Sequence, residues 1–178
     1  MCIRDSIKDV TLLKREIEPR KENDIKEYRI EAYDIAHISG KDTVGVMVVV
    51  IDGELAKKEY RKFKIRGKEG KVAVNDVQNL QEVLVRRLGH VEWPLPNAIV
   101  VDGSTAQIHG AQEVLKERNF NIDIIAVVKD AAHKPKEIVG KESIIEKRKN
   151  EILLANQESH RFAQSYHTNL RRRPYRIG

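Results

Sequence analysis

The chain has 178 residues, 40% of them hydrophobic, enough for one buried core and most simply one domain. Its 33 Lys+Arg against 27 Asp+Glu leave +6, a surplus that suits a polyanionic partner without demanding one. A single cysteine excludes an internal disulfide and a Cys-based zinc site, and no apolar run approaches the ~20 residues of a membrane span.

Residues 1–6, MCIRDS, read as the translation of a transposon sequencing adapter. They are expected to be foreign, making Cys2 non-native and the chain a fragment. Residues 7–27 have a short apolar start and then a charge-rich stretch broken by Pro19, a linker from an upstream segment. The N-terminal residues lack the apolar core of a signal peptide, so a bacterial-type cytoplasm is the expected compartment.

The first strand is expected over 28–38. Its alternation puts Tyr28, Ile30, Ala32, Asp34, Ala36 and Ile38 on one face, apolar except for Asp34. A carboxylate in that company needs a partner or a cation. The other face, with Arg29, Glu31, Tyr33, Ile35 and His37, is mixed. TVGVMVVVID, 43–52, is continuous and β-branched, as for a strand buried on both faces. Asp52-Gly53 predicts a hairpin, and the lysine-rich 54–67 predicts an edge strand protected by charge.

The period then changes. Asn75 can cap a helix to about Gly89, with Val77, Leu80, Leu84 and Leu88 on one stripe. Pro94 and Pro96 precede the short central strand NAIVVDG, 97–103. Ser104 or Thr105 starts a second helix with Ile108, Ala111 and Leu115 inward. IDIIAVVK, 122–129, is another buried strand. Residues 130–147 read as a basic, irregular excursion with room for a small hairpin, and a last helix is expected over 150–172, ended by Pro174. Residues 174–178 form a basic tail.

The order β-β-β-α-β-α-β-α implies an α/β fold. Hairpins make strand 2 antiparallel and helical crossovers make the later strands parallel to the first, giving a mixed five-stranded sheet of order 3-2-1-4-5 with helices on both faces. Its change of direction lies between strands one and four, where open α/β sheets leave a crevice for ligands. Asp34 and Asp102 are neighbours there. Two such carboxylates call for a hard cation, Mg2+ or Mn2+. Taken singly, Asp34 also fits an ion pair with a strand lysine, and Asp102 a turn or helix start. In the last helix His160, Gln164, His167 and Arg171 share one flank, while Phe162 and Tyr166 share another that faces inward. His160 can reach the carboxylates as third ligand or general acid/base, although a helix histidine is also an ordinary surface residue.

YDIAHISG, NDVQNLQEVLVRR, IVVDGSTAQ and ESHRFAQSYH together resemble, in order and spacing over about residues 7–173, the C-terminal endonuclease half of the UvrC family of bacterial nucleotide excision repair. The resemblance implies a ribonuclease H-like domain over 28–173. It puts an Asp-Asp-His triad on Asp34, Asp102 and His160 with a divalent metal. A further acidic residue falls on Asp76, which simple helix-dipole compensation also explains. The implied activity is hydrolysis of a DNA phosphodiester on the 5′ side of a lesion. The implied partners are damaged double-stranded DNA and UvrB, the latter through a segment upstream. Lys129, His133, Lys134, Lys136, Arg161 and the basic Arg171, Arg172 and Arg173 are candidates to meet DNA. One departure stands out: where the family has Asp-Gly-Gly-Lys-Gly-Gln, this chain has Asp102-Gly103-Ser104-Thr105-Ala106-Gln107. That departure keeps open two alternatives, a non-catalytic binding domain of the same fold and a ribonuclease H-like nuclease for another nucleic acid.

Overall fold

The first hairpin organises the sheet. The computed structural model describes residues 26–38, 42–67, 70–72, 75–103, 105–132 and 134–171, without the side chains of 38 and 167–171. Strand β1 (Arg29–Ile38) pairs antiparallel with β2 (Asp42–Ile51), from Arg29↔Ile51 to Ile38↔Asp42. Asp52 and Gly53 both take positive φ, 47° and 86°, the turn that matches the twist of the flanking strands. The expected edge strand is instead two pieces, β3 (Glu54–Leu55) and β4 (Arg61–Lys64), both on β2, with a 3-10 turn at Lys57–Glu59 between them. Lys57 and Lys58 have nothing to bury, and the break lets Tyr60 leave the ladder to pack edge-on against Phe162 at 5.1 Å.

Helix α1 (Asp76–Gly89) begins where Asn75 Oδ1 accepts the Val77 N–H at 2.9 Å, as the capping residue predicts. Strand β5 (Ala98–Asp102) then lies parallel to β1, with Ile30↔Ala98 through Tyr33↔Val101 in register. Helix α2 (Thr105–Glu117) crosses to β6 (Asp123–Lys129), parallel to β5. The stretch expected to be irregular contains another strand, β7 (Pro135–Val139), antiparallel to β6. Helix α3 (Glu142–Arg171) begins eight residues earlier than the 150 expected. Its first turns set the half-buried Ile144 and Ile145 on the core and leave Glu142, Glu146 and Lys147 exposed, before the backbone departs from helix at Arg148. The predicted order holds and is extended: β3-β2-β1-β5-β6-β7, with β4 also beside β2, in a seven-stranded sheet. Residues 1–25, Arg172, Arg173 and the 174–178 tail lie outside the described residues.

Strand alternation divides the core. Tyr33, Met47, Val49, Ile99, Val101 and Ala126 pack under α1 and α2. Ile30, Ala32, Val48, Val100, Ile125 and Val127 pack against Ile152 and Ala155 of α3. Gly45 is needed where α1 crosses β2, since a Cβ there would meet Val83 Cγ2 at 2.3 Å.

The mixed face of β1 holds a buried charge cluster that its pattern did not announce. Glu31 is wholly buried. Arg87 of α1 donates to it from Nη2 at 2.7 Å and from Nε at 3.0 Å, Arg29 Nε donates at 3.0 Å, and Tyr33 Oη donates at 2.6 Å. Burial, reinforced by the Glu31 charge, pushes the Tyr33 phenol well up, so it stays a donor. Arg87 Nη2 also donates to the Pro94 carbonyl at 2.5 Å, tying α1 to the loop that leads into β5. Removing the carboxylate leaves the buried Arg87 guanidinium without its anion, while Arg29 keeps its second partner, Glu59. Glu31→Gln is therefore expected to lose about 3–5 kcal/mol of unfolding free energy in urea titration.

Candidate functional site

The site forms at the carboxyl ends of β1 and β5, which the parallel register sets side by side. Asp34 continues the β1 series Ile30-Ala32 and Asp102 the β5 series Ala98-Val100, so both side chains belong to the sheet face that α3 covers. His160 comes from α3. Ligand atoms of Asp34, Asp102 and His160 all lie within 4.8 Å of one another.

The Ile35 N–H donates to Asp34 Oδ1 at 2.8 Å, and His160 Nδ1 stands 3.3 Å from Asp34 Oδ2. The Gln164 amide nitrogen lies 3.0 Å from His160 Nε2. With that amide donating, the ring proton sits on Nδ1 and is given to Asp34. No lysine is paired with Asp34 among the described residues. Burial, then the neighbouring charge of Asp102, pushes the Asp34 carboxyl above its ordinary range, with His160 opposing both. The site therefore brings two carboxylates close together, and the one ammonium beside them among the described residues, Lys129 on Asp102, offsets only part of their repulsion. Two carboxylate oxygens and an imidazole nitrogen, clustered and partly open, fit a hard divalent ion that retains several waters.

Asp76, the first residue of α1, borders the same place. A cavity of about 130 Å3 is lined by Asp34, Asp76, Asp102 and Gln107, with Tyr33 and Leu80 beneath. Asp76 Oδ1 is 2.7 Å from His37 Nε2, and His37 Nδ1 is 3.2 Å from Thr43 Oγ1. His37 was not singled out from the sequence. Its signal was its place within YDIAHISG, on the same alternating face as Tyr33 and Ile35, which is the face that α1 covers. On the far side of Asp34, a groove of about 400 Å3 runs between β1 and α3, floored by Ala36 and Ala163 and flanked by His37, His160 and Gln164.

Gly103 has φ +132°, and a Cβ there would lie 1.7 Å from Gln107 Oε1. The Gln107 side chain thus folds over the bare backbone that follows Asp102, which accounts for the pairing of these two residues in DGSTAQ. The DNA-contact candidates fare differently. Lys129 Nζ donates to Asp102 Oδ2 at 2.6 Å, so it belongs to the site itself. Lys134 and Lys136 are exposed beside and on β7. Arg161 is held bidentately by Glu158, at 2.6 and 2.7 Å. Arg171 lies at the end of α3, while His133, Arg172 and Arg173 are outside the described residues.

The family described as "UvrC RNAse H endonuclease domain" matches residues 21–170. The chain belongs to the UvrC family. Its domain is 37% identical over 159 residues to UvrABC system protein C of Caldicellulosiruptor saccharolyticus, covering 85% of this chain and 26% of that protein. The corresponding protein of Finegoldia magna is 37% identical over 162 residues, covering 83% and 26%. The chain thus spans about a quarter of the length of these UvrC relatives. Among solved structures, Ciona intestinalis endonuclease V in complex with inosine-containing DNA is similar with TM-score 0.41 and 21% identity, covering 70% of this chain and 55% of that one. Human ENDOV gives TM-score 0.40 and 18% identity over 72% and 55%. No helix among the described residues is long and apolar enough to cross a membrane.

The raised Asp34 carboxyl has a consequence for stability. The folded state binds this proton more tightly than the unfolded chain, so stability falls as pH rises from the ordinary carboxylate range through the higher folded-state value. Asp34→Asn is expected to melt above the parent at neutral pH in EDTA. Thermal melts should show that advantage shrinking in acid, where Asp34 is protonated in both states.

Proposed function

We propose that this chain is the divalent-metal-dependent endonuclease domain of the nucleotide excision repair incision subunit, acting on damaged double-stranded DNA. Hydrolysis would fall on the 5′ side of the lesion, and UvrB would dock through a segment outside this chain, in the bacterial cytoplasm. The observation that carries the reading is the convergence of Asp34, Asp102 and His160 within 4.8 Å at the strand ends of a UvrC domain.

Asp34 and Asp102 would hold Mg2+ or Mn2+, with His160 as third ligand or proton carrier. Such an ion, when bound, polarises a phosphate oxygen and lowers the pKa of its water. The chain's own residues set the rest. The Ile35 N–H and the short reach from the strand end hold Asp34 in place. Gln164 orients the imidazole, whose side chain is 48% exposed and so open to exchange a proton with a substrate oxygen. Asp76, braced by His37, adds negative charge beside the Asp34–Asp102 pair, where a cation approaching the crevice would feel it. Exposed Lys134 and Lys136, together with the sequence candidates Arg171, Arg172 and Arg173, would supply phosphate contacts whose strength falls with salt.

In a nicking assay on lesion-containing duplex, the parent with Mg2+ or Mn2+ is expected to cut and to stop on addition of EDTA. Asp34→Asn and Asp102→Asn should bring cutting to background while circular dichroism stays unchanged, and His160→Ala should lower the rate by about 10²–10⁴. Undiminished metal-dependent cutting by Asp34→Asn would refute the assignment. Duplex binding by a parent that never cuts would favour the non-catalytic alternative.

A further inference from the structure

Lys129 holds a position that the basic loop beyond it does not share. Its ammonium lies 2.6 Å from Asp102 Oδ2, and the two side chains are 19% and 20% exposed. Lys134 and Lys136, a few residues on, are exposed. The reason is local. Asp102 is in register with Val127, so Lys129, two residues further along β6, returns to the same sheet face one step beyond. Between Val128 and Lys129 the β6–β7 ladder shifts register. The extra residue of that shift, Lys136, lies on β7, so β6 keeps its alternation through Lys129 while its partner strand bends away. Asp130 then closes the turn, its Oδ1 accepting the Ala132 and Lys134 N–H groups at 2.8 and 2.9 Å.

The charges explain what a lysine does there. Asp34 and Asp102 together carry two negative charges in a half-closed crevice, and one ammonium offsets part of that repulsion. A divalent ion shared by the same carboxylates would stand within a few ångströms of Nζ, and two cations that close repel. A lysine head is a compact charge on a flexible four-carbon stem, free to rotate away while its base stays anchored. The anion that arrives with the substrate is a phosphate.

Resting on the endonuclease reading above, we propose that Lys129 is the internal counter-ion of the metal-free site: its ammonium neutralises Asp102, yields that oxygen to the incoming divalent ion, and then binds a phosphate oxygen of the strand to be cut. Metal and DNA binding are thereby linked through one side chain. Each favours the state that the other needs, and the coupling is reciprocal. Lys129 is a substrate-binding residue in this account. It sets the order in which charge enters the site.

The test uses the 178-residue chain and two measurements that require no cutting. By calorimetric titration in the absence of DNA, Lys129→Met is expected to bind Mn2+ about tenfold more tightly than the parent, because a competing cation is gone. Lys129→Arg, which keeps the charge, should stay near the parent value and also guards against a Lys129→Met that fails to fold. The second measurement is the salt dependence of binding to a short duplex, with Ca2+ and separately in EDTA. With Ca2+ the parent's log K against log[salt] slope should be steeper than that of Lys129→Met by about 0.9, one phosphate contact. In EDTA the two slopes should coincide. A Lys129→Met that binds Mn2+ no more tightly than the parent overturns the proposal. So does a slope difference of the same size in EDTA, which would make Lys129 a plain DNA contact. A parent that binds no Mn2+ at all would instead overturn the metal reading on which the proposal rests.

Discussion

The parallel pairing of β1 with β5 is the joint on which this domain turns. Among the described residues it is the ladder that connects the antiparallel hairpin half, β1 to β4, with the crossover half, β5 to β7. Four in-register pairs, Ile30↔Ala98 to Tyr33↔Val101, end one residue short of both Asp34 and Asp102. The same pairing that closes the core therefore delivers two carboxylates to one place, at the point where the sheet changes direction. Stability and site geometry share a single set of backbone hydrogen bonds.

Two kinds of carboxylate sit along β1, and their contrast is informative. Glu31 lies deep beneath α1 with donors from Arg87, Arg29 and Tyr33 on its two oxygens. It is saturated, closed to water and structural. Asp34, three residues on and on the opposite face, receives one backbone N–H and one imidazole and faces another carboxylate. Burial and the charge of Asp102 leave it far less satisfied than Glu31. The buried cluster also steadies the site from below, since Arg87 fastens both β1 and the loop before β5 to the same helix.

Around the carboxylates, each neighbouring element contributes one charge-bearing group: His160 from α3, Lys129 from the end of β6, and Asp76 from the start of α1. No segment supplies two of them. The site is thus sensitive to how the helices seat on the sheet. Close packing at Gly45 under α1, and the Tyr60–Phe162 contact that holds α3 to the broken edge, bear on the geometry of this cluster as well as on stability.

Much of this was legible in the one-dimensional pattern. Alternation and β-branched runs located β1, β2, β5 and β6, the Asn75 cap and a 3.6-residue stripe located α1, and the order of hairpins and crossovers implied the arrangement of the inner strands. Asp34 stood out because a carboxylate on an apolar strand face is costly wherever that strand packs. Other features escaped for one shared reason: short elements and charged side chains acquire meaning only from what lies beside them. Strand β7 and the first turns of α3 looked like a basic excursion because their few apolar residues, Ile138, Ile144 and Ile145, gain their value from a core edge formed by distant residues. Glu31, on a face that read only as mixed, and Arg87, 56 residues away, show no relation until the fold buries them together. Lys129 read as one more lysine of a basic loop, and His37 as the polar end of a strand. Sequence determined which groups could do chemistry and roughly where the elements run. Tertiary structure alone decided which charges meet, because electrostatic pairing is set by distance and burial, and neither is written in local order.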